Sequence, residues 1–210
     1  MRIDLQTPIA DADIRKLKVG DSVFLSGIVV TARDAAHKWL ADNFIHESAN
    51  PSTEDQAIFD SIKSLLNGGL IYHCGPVVAG LDTKEYRFVA AGPTTSIREE
   101  PYQADVMKLF NLKGVIGKGG MGAKTLNGCA DLPAAYFHAI GGAAALIAAT
   151  VEQVIGVYKL EFGVPEAMWV IRVKDLPAVV TMDAHGASLH DRVRERSGKK
   201  LKELTASSGL

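Results

Sequence analysis

The chain has 210 residues, 47% of them hydrophobic and 22% charged, with a formal net charge of -1. That length supports one domain with a substantial core, and the near-neutral charge excludes a general electrostatic pull toward nucleic acid or membrane surfaces. The opening MRIDLQTPIADADIRKL lacks an apolar stretch and the most apolar segment, 141–151, is far too short to cross a bilayer, so a cytoplasmic location without membrane contact is expected.

In chain order, residues 23–31 are a β-rich run broken by Gly27, and residues 35–44 follow with helical spacing, which puts Arg33 and Asp34 at a strand-to-helix junction. A polar start and a helix over 54–66, closed by Gly68-Gly69, make 47–69 a surface insertion. Short β runs at 70–73, 77–79 and 86–91, with turns at Gly75-Pro76 and Asp82-Thr83, read as a small antiparallel or mixed unit. From Gly92 the texture alternates: helix 104–112, strand 114–116, helix from Met121, strand 134–140, helix 141–154. Two further apolar runs, 168–173 and 178–182, suit buried strands, 185–204 is a basic tail helix, and 205–210 is a frayed end. The expected class is mixed α/β in a single domain over 1–210, with a β-rich first half and a layered α/β second half.

Three segments put a cation or hydroxyl beside small residues in a loop after a predicted strand: TARDAAH (31–37), GPTTSIR (92–98) and GKGGMG (117–122). In GKGGMG the glycines allow close backbone approach, the amides of the turn and helix start can face an anion, and Lys118 adds a full charge. The same glycines also suit a plain turn packing a strand on a helix, and the spacing is neither GxxxxGK[ST] nor GxGxxG. In GPTTSIR, Arg98 offers a planar fork suited to a carboxylate, while Thr94, Thr95 or Ser96 can serve as a helix cap. In TARDAAH, Arg33 can bind an anion with Asp34 or His37 in support, or Asp34 can simply open a helix. Together, two arginines, a lysine and a threonine hydroxyl suit a small dicarboxylate, which needs two cationic clamps and a tunable base. Two cysteines, Cys74 and Cys129, form no disulfide framework and are too few for an iron-sulfur cluster, which usually takes four ligands. Cys74 reads as a core thiol; Cys129, after Asn127-Gly128, reads as a structural loop residue or an oxidisable thiol.

The ordered set RDAAH, GPTTSIR and GKGGMG, with TPI (7–9), DSVFLSG (21–27), HCGP (73–76), GVPEAMW (163–169) and DAHG (183–186), resembles the C-terminal domain of class I fumarases and the β subunits of L-tartrate dehydratase. The likeness runs from about Thr7 to Leu189. It implies the swivelling β/β/α fold and half of a hydro-lyase that adds or removes water across a carbon-carbon bond of a small dicarboxylate. A 4Fe-4S cluster held by the α subunit serves as Lewis acid, with no metal ligand on this chain and an α2β2 assembly. By the family pattern Thr94 and Lys118 are catalytic; Arg33, Arg98, Lys118, Thr95 and Gly119 bind substrate. Asp34, His37, Asp183 and His185 stand behind them as supports, a plain core role being the alternative for His185. The resemblance puts fumarate to L-malate first and L-tartrate to oxaloacetate second. It also marks two departures: Cys74 stands where a small residue such as Ala is usual, and 47–69 is longer than the pattern. A different class of reading is a non-catalytic anion- or nucleotide-binding module built on GKGGMG, or a structural subunit whose site has fallen out of use.

Overall fold

The computed structural model describes residues 2–207. In chain order it comprises β1 (Ile3–Gln6), α1 (Asp11–Ile14), β2 (Ser22–Thr31), α2 (Asp34–Leu40) with a π-helical extension Ala41–Ile45, α3 (Thr53–Leu66), β3 (Leu70–Tyr72), β4 (Val77–Ala79) and β5 (Arg87–Ala90). There follow a 3-10 turn Ser96–Glu99 running into α4 (Glu100–Phe110), β6 (Gly114–Gly117), α5 (Ala123–Asp131), β7 (Ala135–His138), α6 (Ala144–Ala148) and β8 (Val151–Tyr158). The last elements are a 3-10 turn Leu160–Phe162, β9 (Met168–Met182) and α7 (Leu189–Ser207).

β1, β2, β3, β6 and β7 are successive parallel neighbours, and β9 pairs antiparallel with β7 and β8. A further antiparallel pairing of β9 with β2 closes β2, β3, β6, β7 and β9 into a ring. Side-chain alternation then sorts the apolar residues into two cores, because successive strand residues face opposite sides. Leu70, Tyr72, Ile116, Phe137, Trp169 and Ile171 fill the inside of the ring. Val30, Ile71, Val115, Tyr136 and Val170 point outward to meet Trp39, Leu40, Phe59, Ile62, Leu66, Met107 and Phe110 from the helices. The mixed α/β class expected from the sequence is what forms, with a β layer within and a helical layer on one face.

Several boundaries differ from the sequence reading. The helix expected over 141–154 stops at Ala148, and Val151–Tyr158 is a strand on β9. The two runs 168–173 and 178–182 are one strand, kinked where Asp175 takes φ 55 and gives its N–H to Ser26 Oγ at 3.0 Å. The fourth helix begins at Glu100 rather than 104, with Pro101 in its first turn where a missing N–H costs nothing. β3 belongs to the main sheet, leaving β4 and β5 as a separate antiparallel pair. Segment 47–69 carries α3, whose Phe59, Ile62 and Leu66 are buried in the helical-side core. Cys129 lies in α5, not in a loop. α7 runs to Ser207, and the remainder of the tail expected to fray, 208–210, lies outside the described residues. Among the described residues no helix is long and apolar enough to cross a membrane.

Candidate active site

Parallel strands deliver their following loops to one end of a sheet, and β2, β3 and β6 do so in register: Thr31 lies beside Tyr72, and Tyr72 beside Ile116. Beyond that level β3 and β6 part, and the GPTTS segment enters between them. Thr94 N–H donates to His73 O at 2.7 Å, Lys118 N–H to Thr94 O at 3.1 Å, and Cys74 bridges Pro93 as Thr95 bridges Lys118. The three segments singled out by sequence therefore meet, because two of them form a short ladder and the third follows the adjacent strand.

Arg33 caps β2 and is held by Glu166, whose Oε1 is 3.0 Å from Nη1 and whose other oxygen accepts the Ala35 N–H at 3.2 Å. Its guanidinium lies over Gly75, where a Cβ would come within 2.5 Å of Nη1, so glycine there keeps the space clear. Asp34 pairs with the half-exposed Arg98 at 3.0 Å. Lys118 Nζ has no ion-pair partner among the described residues; its stem runs past Gly141, where a Cβ would sit 3.5 Å from Cδ. Gly119 and Gly120 turn the loop at φ 79 and 82, a region L side chains avoid. The Thr94 hydroxyl and Arg33 Nε are buried without hydrogen-bond partners. Orphaned polar atoms are costly, and here they cluster at one loop end beside a free lysine.

The start of α5 does not stand open to an external anion. Glu100 accepts the N–H groups of Gly122 at 2.8 Å, Lys124 at 2.9 Å and Thr125 at 3.2 Å, and the Thr125 hydroxyl at 2.7 Å. Of the residues expected to stand behind the site, His37 is fully buried beneath Arg33. Asp183 instead accepts the N–H groups of Val19, His185 and Ala187, and His185 Nε2 donates to Arg15 O, so the pair organises a turn whose partners include none of the loop residues above. Both cysteines are enclosed, and burial pushes each thiol up to about 12, the opposite of a readily oxidised thiolate. Among the described residues no group of three His, Cys, Asp or Glu side chains could hold a metal ion, and two separated, protonated thiols do not fit as ligands of a cluster.

Glu99 adds a feature with no motif behind it. It is 1% exposed, both its oxygens lack a donor, and it lies against Asp34. Burial first, and then the Asp34 carboxylate that its proton can bind, push its pKa up to about 8. A proton kept on Glu99 gives Asp34, whose Oδ1 is also orphaned, a donor. The folded state thus retains a proton that an unfolded chain releases near 4.5, so this stabilising contribution is complete below that value and is lost as pH rises toward about 8. Glu99→Gln, a permanent mimic of the acid form, is expected to melt several degrees above the parent at pH 8.5, with the gap closing toward pH 4.5. Thermal denaturation across pH reads this, and a gap independent of pH refutes it.

Fold and loops together define an α/β domain that gathers two arginines, a free lysine and an unpartnered hydroxyl at the carboxyl end of its parallel strands. Residues 1–193 match the family described as fumarase C-terminus, and the chain belongs to that family. It is 51% identical over 202 residues to a protein of Geobacillus stearothermophilus provisionally named fumarate hydratase class I, covering 96% of this chain but 36% of that protein. It is 38% identical over 194 residues to a Methanocaldococcus jannaschii protein, provisionally named L(+)-tartrate dehydratase subunit beta, covering 93% of it. The L(+)-tartrate dehydratase subunit beta of Escherichia coli is 37% identical over 190 residues, covering 90% of this chain and 87% of that one. The chain thus spans about a third of the first relative and nearly all of the others.

Proposed function

We propose that this chain is the β subunit of a hydro-lyase that reversibly hydrates a small dicarboxylate, fumarate to L-malate foremost. The observation that carries it is the unpartnered Thr94 hydroxyl set by backbone bonds between the His73 and Lys118 loops, with Arg33 and Arg98 alongside. In this reading Arg33, Arg98 and Lys118 clamp the substrate carboxylates, Thr95 and Gly119 shape the pocket around them, and Asp34 and His37 hold the arginine loop. Thr94 Oγ takes or returns the proton on the carbon beside a carboxylate; a threonine hydroxyl is a weak base, so a carboxylate from an α-type partner must activate it. A 4Fe-4S cluster belongs, in this reading, to that partner and supplies a Lewis acid when bound. The β-subunit names of two relatives that this chain covers nearly end to end support a two-chain enzyme, for which α2β2 is the proposed assembly and the cytoplasm the proposed location. The same length match, with the Ile97-Arg98 pair, favours L-tartrate as the second substrate to test.

The test is anaerobic co-purification with an α-type partner and cluster reconstitution, followed by assay of fumarate hydration and of L-malate and L-tartrate dehydration. Turnover by the pair and by neither chain alone is the expected result and names the substrate. A stable, cluster-loaded pair with no turnover on any dicarboxylate overturns it.

A further inference from the structure

Beneath the arginine and lysine loops runs an unbroken buried polar chain. His37 Nδ1 is 3.0 Å from Arg33 O, and His37 Nε2 is 3.1 Å from Gln103 Oε1. The same oxygen is 2.8 Å from His73 Nε2, while Gln103 Nε2 has no partner, and His73 Nδ1 is 2.6 Å from Ser96 Oγ. Ser96 Oγ is 2.8 Å from Tyr136 OH, which donates to Lys118 O at 3.1 Å. His37, His73, Ser96, Gln103 and Tyr136 are all 0% exposed, and the two rings meet edge to face at 5.1 Å. Gly117 makes room for it, since a Cβ there would collide with Ser96 Oγ and Tyr136 OH.

We infer that this chain is a positioning device: Gln103, through two neutral imidazoles, fixes the carbonyl of Arg33 and the carbonyl of Lys118, and so sets the spacing of the two cationic loops. Proton counting makes the device directional. Both ends are carbonyls and can only accept. From one end, His37 Nδ1–H donates to Arg33 O, leaving its Nε2 bare. From the other, Tyr136 donates to Lys118 O, Ser96 donates to Tyr136, and His73 Nδ1–H donates to Ser96, leaving its Nε2 bare as well. Two bare nitrogens facing one amide are satisfied only by its NH2 group, one hydrogen to each ring. With Gln103 Oε1 left facing the rings, a lone pair opposes an oxygen or a ring becomes cationic, with no counter-ion in contact with it among the described residues and no exposure to water, so the amide is assigned turned by half a revolution. Turning the amide also converts the orphaned Nε2, which has two hydrogens to satisfy, into an orphaned acceptor, the cheaper of the two. Burial lowers both imidazole pKa values, which agrees with neutral rings.

The experiment has two arms. Side-chain 15N spectra of the full chain are expected to show His37 and His73 as Nδ1–H tautomers that do not titrate between pH 5.5 and 8; an Nε2–H tautomer or ordinary titration of either ring overturns the proposal without reference to any activity. The second arm rests on the hydro-lyase reading and uses the active two-chain enzyme. Gln103→Met, similar in size but without hydrogen bonds, is expected to lower kcat/KM about 10- to 100-fold, the range that misplacing a site by an ångström brings, with the loss carried mainly by KM. Unchanged KM, or a loss confined to kcat, overturns the positioning role. If Gln103→Met does not fold, Gln103→Glu serves: a carboxylate only accepts, so His37, whose Nδ1–H is committed to the Arg33 carbonyl, must gain a proton on Nε2 and begin to titrate, and a His37 ring that remains silent overturns the proton order. A parent enzyme inactive on every dicarboxylate sinks the hydro-lyase reading and leaves the spectroscopic arm standing.

Discussion

Thr94→Val in the proposed two-chain enzyme should lower kcat by about 10²- to 10⁴-fold, the range a positioned general base supplies, while association with the proposed partner and thermal stability stay close to those of the parent. The stability half follows from the local structure. Thr94 is tied into place by its backbone, its N–H to His73 O and its carbonyl to Lys118 N–H. Its hydroxyl is a buried atom without a partner, and replacing an unsatisfied buried hydroxyl with a methyl of the same shape removes a desolvation cost rather than a bond. The catalytic half rests on the proposed role: a buried hydroxyl left without a partner between the His73 and Lys118 loops contributes nothing to folding and stays available to a substrate. Thr94→Ser keeps the oxygen and should retain activity to within about tenfold, one extra rotamer state being a small cost. Steady-state kinetics under anaerobic conditions, with co-elution of the two chains as control, decides the matter. A Thr94→Val enzyme within tenfold of the parent would remove Thr94 from the chemistry.

What could be read from the sequence was whatever is local. The strand-to-helix junction at Arg33, the GPTTS turn and the glycine loop each lie within a few residues; strand order gathers the first and the last at one sheet end, and backbone bonds to His73 and Lys118 seat GPTTS between them. Their supports were out of reach because each arrives from far along the chain: Glu166 reaches Ala35 across 131 positions and Gln103 reaches His37 across 66. Glu166 and His73 at least fell inside recognised motifs; Gln103, Glu99 and Tyr136 carried no signal. The failed helix over 141–154 has a specific cause. Val151, Val154 and Val157 recur at a spacing of three and imitate a helical face, yet the strand shifts register between Val151 and Gln153 and again between Val154 and Gly156. Each bulge adds one residue to the two-residue strand repeat, so the valines stay on the core side at every third position. The alanine-rich start of the segment then made the helix look longer than the five residues that form.

The second large effect concerns the glycine loop. Glu100→Ala should destabilise the chain by about 2–4 kcal/mol, given that hydrogen bonds to a charged group contribute about 1.5–3 kcal/mol each and do not add fully. That corresponds to a fall of roughly 5–15 °C in Tm for a chain of this size. One carboxylate holds three backbone N–H groups and a hydroxyl at the start of α5 while itself opening α4. It therefore pins the end of the loop that carries Lys118 to the helix that follows Arg98. Gly122 is shaped to it, a Cβ there coming within 2.6 Å of Oε1. The substitution also separates the two classes of function. If the positive end of α5 were a phosphate site, the unaltered protein would be stabilised by phosphate or nucleotide; with Glu100 already in place it should not respond. In Glu100→Ala the same amides are freed, and millimolar phosphate should recover part of the lost Tm through the helix terminus. A parent chain that gains stability from phosphate, or a variant that loses none, would mean that the intramolecular carboxylate does not occupy this terminus, and the binding-module reading would then stand ahead of the hydro-lyase.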